Sequence, residues 1–145
     1  MDYARLRDEL QQDPLGRGYV AMSAEQAAAS LMADDRAVVQ PFRVGALGIM
    51  REAGPAAGAA ILDAIEAASA SDSRLKWFLR ELNTTGIDLG DPVTRATIDE
   101  LVSAGVLTPS QGAVLKGAAI RMISRAEELG LGEVRPGDVD TARNY

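Results

Sequence analysis

The sequence contains no cysteine and no histidine, and only 4% of its 145 residues are aromatic. Without those two residue types there is no thiol nucleophile, no Cys/His zinc site, no Ser-His-Asp triad and no histidine proton switch. Carboxylates, hydroxyls, arginines and the two lysines, Lys76 and Lys116, are what remains for chemistry. Long apolar runs are also missing, since nothing approaches the ~18 residues of a membrane span. Positive charge is in deficit: 21 acidic side chains face 15 basic ones, for a net charge of −6. Nucleic acid is therefore not the expected partner, because phosphate binding wants a basic face. Met1-Asp2-Tyr3-Ala4-Arg5 lacks the basic-then-apolar layout of a signal peptide, so use or assembly in the cytoplasm is expected. The length fits one domain, or a domain with an arm, able to bury a core without disulfides.

What is present is a helical vocabulary. Alanine occurs 25 times, and it costs no side-chain entropy in a helix, whereas branched and aromatic residues, the strand formers, rarely alternate with polar ones. Tyr3, Leu6 and Leu10 share one face of a first helix that Pro14 stops. Ser23-Ala24-Glu25-Gln26 and Thr108-Pro109-Ser110-Gln111 are capping boxes, in which the hydroxyl takes the third amide and the Gln reaches back. Gly54-Pro55 ends one helix, from about Arg43, and starts the next, from Ala56 to Ala70. Further helices are expected from Ser71 to about Asn83, from Asp91-Pro92 to Ala104, and from Thr108 to about Leu129. In the last of these Leu115, Ala118, Met122, Ala126 and Leu129 form a stripe. The segment from Asp34 to Phe42 is expected to be irregular, and Asp138 to Arg143 a frayed turn or two. No convincing strand is read, although Ile87-Asp88-Leu89 and Gly105-Val106-Leu107 are extended enough to touch.

Few residues invite a chemical role. Gly16-Arg17-Gly18 lacks the preceding strand and third glycine of a dinucleotide site and reads as a turn. The acidic pairs Asp34/Asp35, Asp88/Asp91, Glu127/Glu128 and Asp138/Asp140 have local explanations as helix caps, dipole partners and surface pairs, with Glu128 reaching Arg125 or Arg121. Gly54, Ala57, Gly58, Ala60 and Ala64 leave one side of a helix smooth enough for close packing. Whether the partner helix belongs to the same chain stays open at this point.

Trp77 stands apart. At 100° per residue Leu75, Phe78, Leu79 and Leu82 cluster on one face, while Trp77 points the other way among Ser73, Arg74, Arg80 and Glu81. A Trp on a basic-flanked outer face is either an interface anchor or is covered by another segment, such as the N-terminal arm. Ile120 raises the same question.

Asp13-Pro14-Leu15-Gly16-Arg17-Gly18-Tyr19, followed by Met22-Ser23-Ala24-Glu25-Gln26-Ala27-Ala28, resembles the opening of a group of small proteins from tailed bacteriophages and prophages. Ser124-Arg125-Ala126-Glu127-Glu128-Leu129-Gly130-Leu131-Gly132, with Val134, Gly137-Asp138-Val139 and Ala142-Arg143, is similar to that group's closing motif. Ile98-Asp99-Glu100-Leu101 and Gly105-Val106-Leu107-Thr108 also fit. Leu31-Met32 departs from the usual Leu-Asn, and residues 34–73 match poorly. The resemblance implies a virion component or assembly factor encoded near tail and fibre genes, and it carries over no catalytic residue.

These observations lead us to expect an all-α protein, a compact bundle of six or seven short helices, with an N-terminal helical arm over 1–33 and a helical domain over 34–145. The expected function is non-enzymatic. The protein would be an adaptor or decoration subunit of a phage virion, docking on tail, fibre or neck proteins, without metal or cofactor, in one copy or as a homo-oligomer. Docking residues are expected to be Trp77, Arg74 and Arg80, with Tyr3, Leu6, Leu10 and Tyr19 of the arm. The alternative expectation is a small acidic phage-encoded inhibitor of a host defence or nucleic-acid enzyme.

Overall fold

A computed structural model describes residues 1–145. The chain forms two compact units: residues 1–38 with 122–145, and residues 39–121. The expected division into an arm over 1–33 and a domain over 34–145 is corrected accordingly. The N-terminal segment shares its core with the C-terminal one.

In the first unit Asp2 caps α1 (Tyr3–Gln12), accepting the Arg5 amide at 3.0 Å. Asp13 ends the helix in the left-handed region at φ 42°. Its carboxylate then accepts the amides of Arg17 and Gly18 at 2.8 and 2.6 Å and closes the following loop. A 3-10 turn (Tyr19–Ala21) and α2 (Ala24–Met32) follow, and Ser23 and Gln26 form the capping box read from the sequence. Strand β1 (Arg36–Val39) takes the chain out of this unit, and β4 (Ile120–Ile123) brings it back as its sheet partner. The unit closes with α8 (Arg125–Glu128) and α9 (Pro136–Arg143). Leu6, Leu10, Tyr19, Leu31, Ala126 and Val139 are among its buried core residues.

In the second unit β2 (Arg43–Val44) pairs antiparallel with β3 (Ile87–Asp88), Arg43 opposite Asp88 and Val44 opposite Ile87. The Asp88 carboxylate accepts the amides of Phe42 and Gly90 at 2.8 and 2.9 Å, which holds it below the usual carboxylate range. Five helices complete the unit: α3 (Ala46–Ala53), α4 (Pro55–Ser69), α5 (Ser73–Thr84), α6 (Pro92–Ser103) and α7 (Pro109–Ala118). Gly54, at φ 91°, ends α3 and begins α4, a conformation that suits glycine. Ile49, Ile61, Ile65, Leu82, Ile98 and Leu115 lie at the centre of the core. The smooth side of α4 meets α3 of the same chain: a Cβ placed on Gly58 would lie 2.5 Å from the Met50 Cα.

The chain is mostly helical, as expected, but it carries nine helices rather than six or seven, and four short strands. The expected long helix from Thr108 to Leu129 is three elements, α7, β4 and α8. The stripe from Leu115 to Leu129 kept helical spacing, yet the intervening Ile120-Arg121-Met122-Ile123 carries two β-branched residues, which suit a strand. Ser124 then caps a new helix, accepting the Glu127 amide at 3.1 Å. Likewise, the segment expected to be irregular contains β1, where Val38 and Val39 have the branched side chains of a strand. Ile87-Asp88 finds its partner in Arg43-Val44 rather than in Gly105-Val106-Leu107.

Candidate functional site

The site residues expected from the sequence divide into a buried and an exposed set. Leu6, Leu10 and Tyr19 are 0%, 4% and 0% exposed, so they hold the first unit together and present no docking surface. Tyr3 is half-buried; its hydroxyl donates to Asp138 Oδ1 at 3.1 Å, and its ring lies 6.1 Å from that of Tyr145. Arg143 ties the same end down, donating to the carbonyls of Tyr19 and Met22 at 2.8 Å each. Periodicity revealed the apolar face of α1 correctly. It could not reveal that α9, about 130 residues later, covers it.

The opening and closing motifs thus meet in one unit, and an ion-pair network joins residues flanking the first motif to the second. Arg125 grips Glu9 with Nε to Oε1 at 2.9 Å and Nη2 to Oε2 at 2.7 Å, with both side chains largely buried. Glu128 accepts from Arg36 Nε and from Arg125 Nη1, each at 2.9 Å. The anticipated Arg125–Glu128 pair is present; the bonds to Glu9 and Arg36 were not anticipated. One sequence signal was available, because Glu9 stands beside Leu6 and Leu10 on the apolar stripe. Arg17 continues the pattern, bonding the Ser30 carbonyl and pairing with Asp35 at 2.6 Å.

Hydrogen bonds from Arg36 and then Arg125 hold the Glu128 carboxyl at about 2, below its ordinary 4.5. A carboxyl that is more acidic in the folded than in the unfolded chain stabilises the fold above the unfolded value, and that contribution is lost as pH falls through the folded one. Glu128→Gln should therefore lower the urea midpoint at pH 7, and the gap from wild type should close between about pH 4.5 and 2. A gap that stays constant across that window would contradict the ionic role of Glu128.

The exposed set lies on α5. Asp72 caps the helix by accepting the Arg74 amide at 2.9 Å. Leu75 and Leu82 enter the core, Phe78 and Leu79 pack partly against it, and Trp77 is left 59% exposed. Arg80 lies over the indole with its Cζ 5.3 Å from a ring centroid, and Lys76 Nζ lies at 5.8 Å, both within cation–π range. Arg74 reaches the other way, to Glu100 on α6 at 3.2 Å and to Asp72 at 3.5 Å. Beneath it is a groove of about 280 Å³ floored by Leu75, Phe78, Leu101 and Val106 and rimmed by Asp72 and Glu100. Trp77 was singled out by the sequence, whereas the groove was not, because α6 supplies its far wall.

No group of three or more acidic side chains is placed to hold a metal ion, and no helix is long and apolar enough to cross a membrane. The acidic residues singled out in the sequence include Asp88, Asp91, Glu128 and Asp138, which accept backbone amides, arginine donors or the Tyr3 hydroxyl. No protein-family model, curated protein or solved structure matches the chain.

Proposed function

We propose that this chain is a non-enzymatic structural or assembly protein of a tailed bacteriophage, assembled in the host cytoplasm. It acts as an adaptor or decoration subunit and docks on other virion proteins of the tail, fibre or neck. The observation that carries the docking part is Trp77, an exposed indole with two cations within reach of its ring. Covering on the order of 100 Å² of indole is worth roughly 2–3 kcal/mol, the scale of an interface hot spot. The phage part is supported by the opening and closing sequence motifs. The inhibitor alternative draws on the net charge of −6, while the surroundings of Trp77 are cationic, so it takes second place.

The test is incorporation. Trp77→Ala should leave far-UV circular dichroism unchanged and reduce the amount of protein in purified phage particles by one to two orders of magnitude. Incorporation at the wild-type level would remove Trp77 from the docking surface.

A further inference from the structure

We infer that the outer face of α5 receives an acidic segment of a partner protein, whose carboxylates meet Lys76 and Arg80 and whose apolar side chains cover Trp77. The inference rests on reading Trp77 as a docking residue and names the chemistry of what docks.

Lys76, Trp77 and Arg80 are all exposed. Counting about 100° per residue, Lys76 and Arg80 lie to the same side of Trp77, one turn apart along the helix. Neither cationic side chain has an ion pair or a hydrogen bond within the chain; each lies over the indole instead. Arg74, on the same helix, is answered by both Asp72 and Glu100. A protein with 21 acidic side chains to 15 basic ones thus leaves two positive charges without a carboxylate beside its sole tryptophan.

Helix formation does not account for these two charges. Like charges at i and i+4 repel, and Lys76 ends the first turn of α5, where the helix dipole favours an anion. Carboxylates brought by a partner offset both penalties, and an apolar side chain beside them takes the indole out of water. One short segment therefore satisfies the whole patch. A polyanion fits it less well. Glu81 is exposed about 40° to the other side of Trp77 and one turn further on. The repeating phosphates of a nucleic acid or an anionic membrane would run from the two cations onto Glu81, whereas a peptide can place its acids at Lys76 and Arg80 alone.

A random dodecapeptide display library, selected against the purified full chain, tests this chemistry. The enriched peptides should carry at least two Asp or Glu together with a large apolar residue. A synthetic, tryptophan-free winner should change the emission of Trp77 on binding, less so as salt rises from about 50 to about 500 mM. Lys76→Glu with Arg80→Glu should weaken it at least about tenfold with unchanged far-UV circular dichroism, as should Trp77→Ala read by calorimetry. Lys76→Gln with Arg80→Gln removes the charges without reversing them and should act in the same direction, while Lys76→Arg with Arg80→Lys should bind as wild type. The inference is overturned by a library that yields no binder, by winners that lack acids, or by binding undiminished in the charge-reversed chain. Tighter binding to an oligothymidylate or to phosphatidylglycerol vesicles than to the peptide overturns it as well. These outcomes are separable from the virion reading. Particle incorporation that needs Trp77 but tolerates the charge reversal refutes the acidic partner alone, and charge-dependent peptide binding by a protein missing from particles and assembly intermediates refutes the virion role alone.

Discussion

Replacing Arg125 with alanine is expected to destabilise the first unit by about 3–5 kcal/mol, the cost of leaving a buried charge without its partner. Glu9 is 5% exposed, and both of its carboxylate oxygens are taken by the Arg125 guanidinium. Truncating the arginine leaves that carboxylate beside Leu6 and Leu10 without its cation. It also removes one of the two arginines that hold Glu128. The size of the effect comes from the orphaned charge rather than from a large net benefit of the pair. Glu9→Leu together with Arg125→Met should therefore recover most of the loss. Urea unfolding followed by circular dichroism measures both variants. A change under about 0.5 kcal/mol for Arg125→Ala, the range of an ordinary surface substitution, would contradict the buried pair.

The second large effect is expected at Gly58. A Cβ there would sit 2.5 Å from the Met50 Cα, 2.9 Å from its amide nitrogen and 3.1 Å from the Ile49 carbonyl oxygen. All three are backbone atoms of α3, so no side chain can rotate out of the way and the two helices must separate. Overpacking of this kind costs about 1–3 kcal/mol. It should outweigh the helix propensity, close to 1 kcal/mol, that alanine gains over glycine. Gly58→Ala is accordingly expected to lower stability by about 1 kcal/mol, the overpacking cost less the propensity gain. The control is Gly117→Ala on α7, where an added Cβ meets nothing within 4 Å. That change should stabilise by up to about 1 kcal/mol, because only propensity acts there. Equal thermal shifts for the two variants would contradict the close α3–α4 approach.

Features written in a few adjacent residues were legible in the sequence. The capping boxes at Ser23/Gln26 and Thr108/Gln111, the Gly54-Pro55 break and the Asp91 cap each depend on side chains within one turn of the backbone they satisfy. The direction of Trp77 was legible for a similar reason, since helix pitch alone fixes it against Leu75 and Leu82. Features completed from far along the chain were not. Leu6, Leu10 and Tyr19 looked like a face awaiting a partner, and that partner is α9 of the same chain. Met122 kept helical spacing, but its segment pairs with β1, more than 80 residues earlier. The groove between α5 and α6 needed Leu101 and Glu100 from α6, which no local pattern on α5 announces.

The two motifs behind the phage resemblance also acquire a physical meaning. Asp13, Arg17 and Tyr19 of the opening motif, and Arg125, Glu128, Asp138 and Arg143 of the closing one, take part in the bonds and core of a single unit. Their residue types follow from folding requirements, whereas α5, where the docking proposal is placed, lies outside both motifs.

The most direct measurement of the central claim is quantitative mass spectrometry of purified particles from a phage or induced prophage carrying this gene. The protein is expected at a fixed copy number per particle, or bound at that ratio to assembly intermediates. Its complete absence from both would contradict a virion or assembly role.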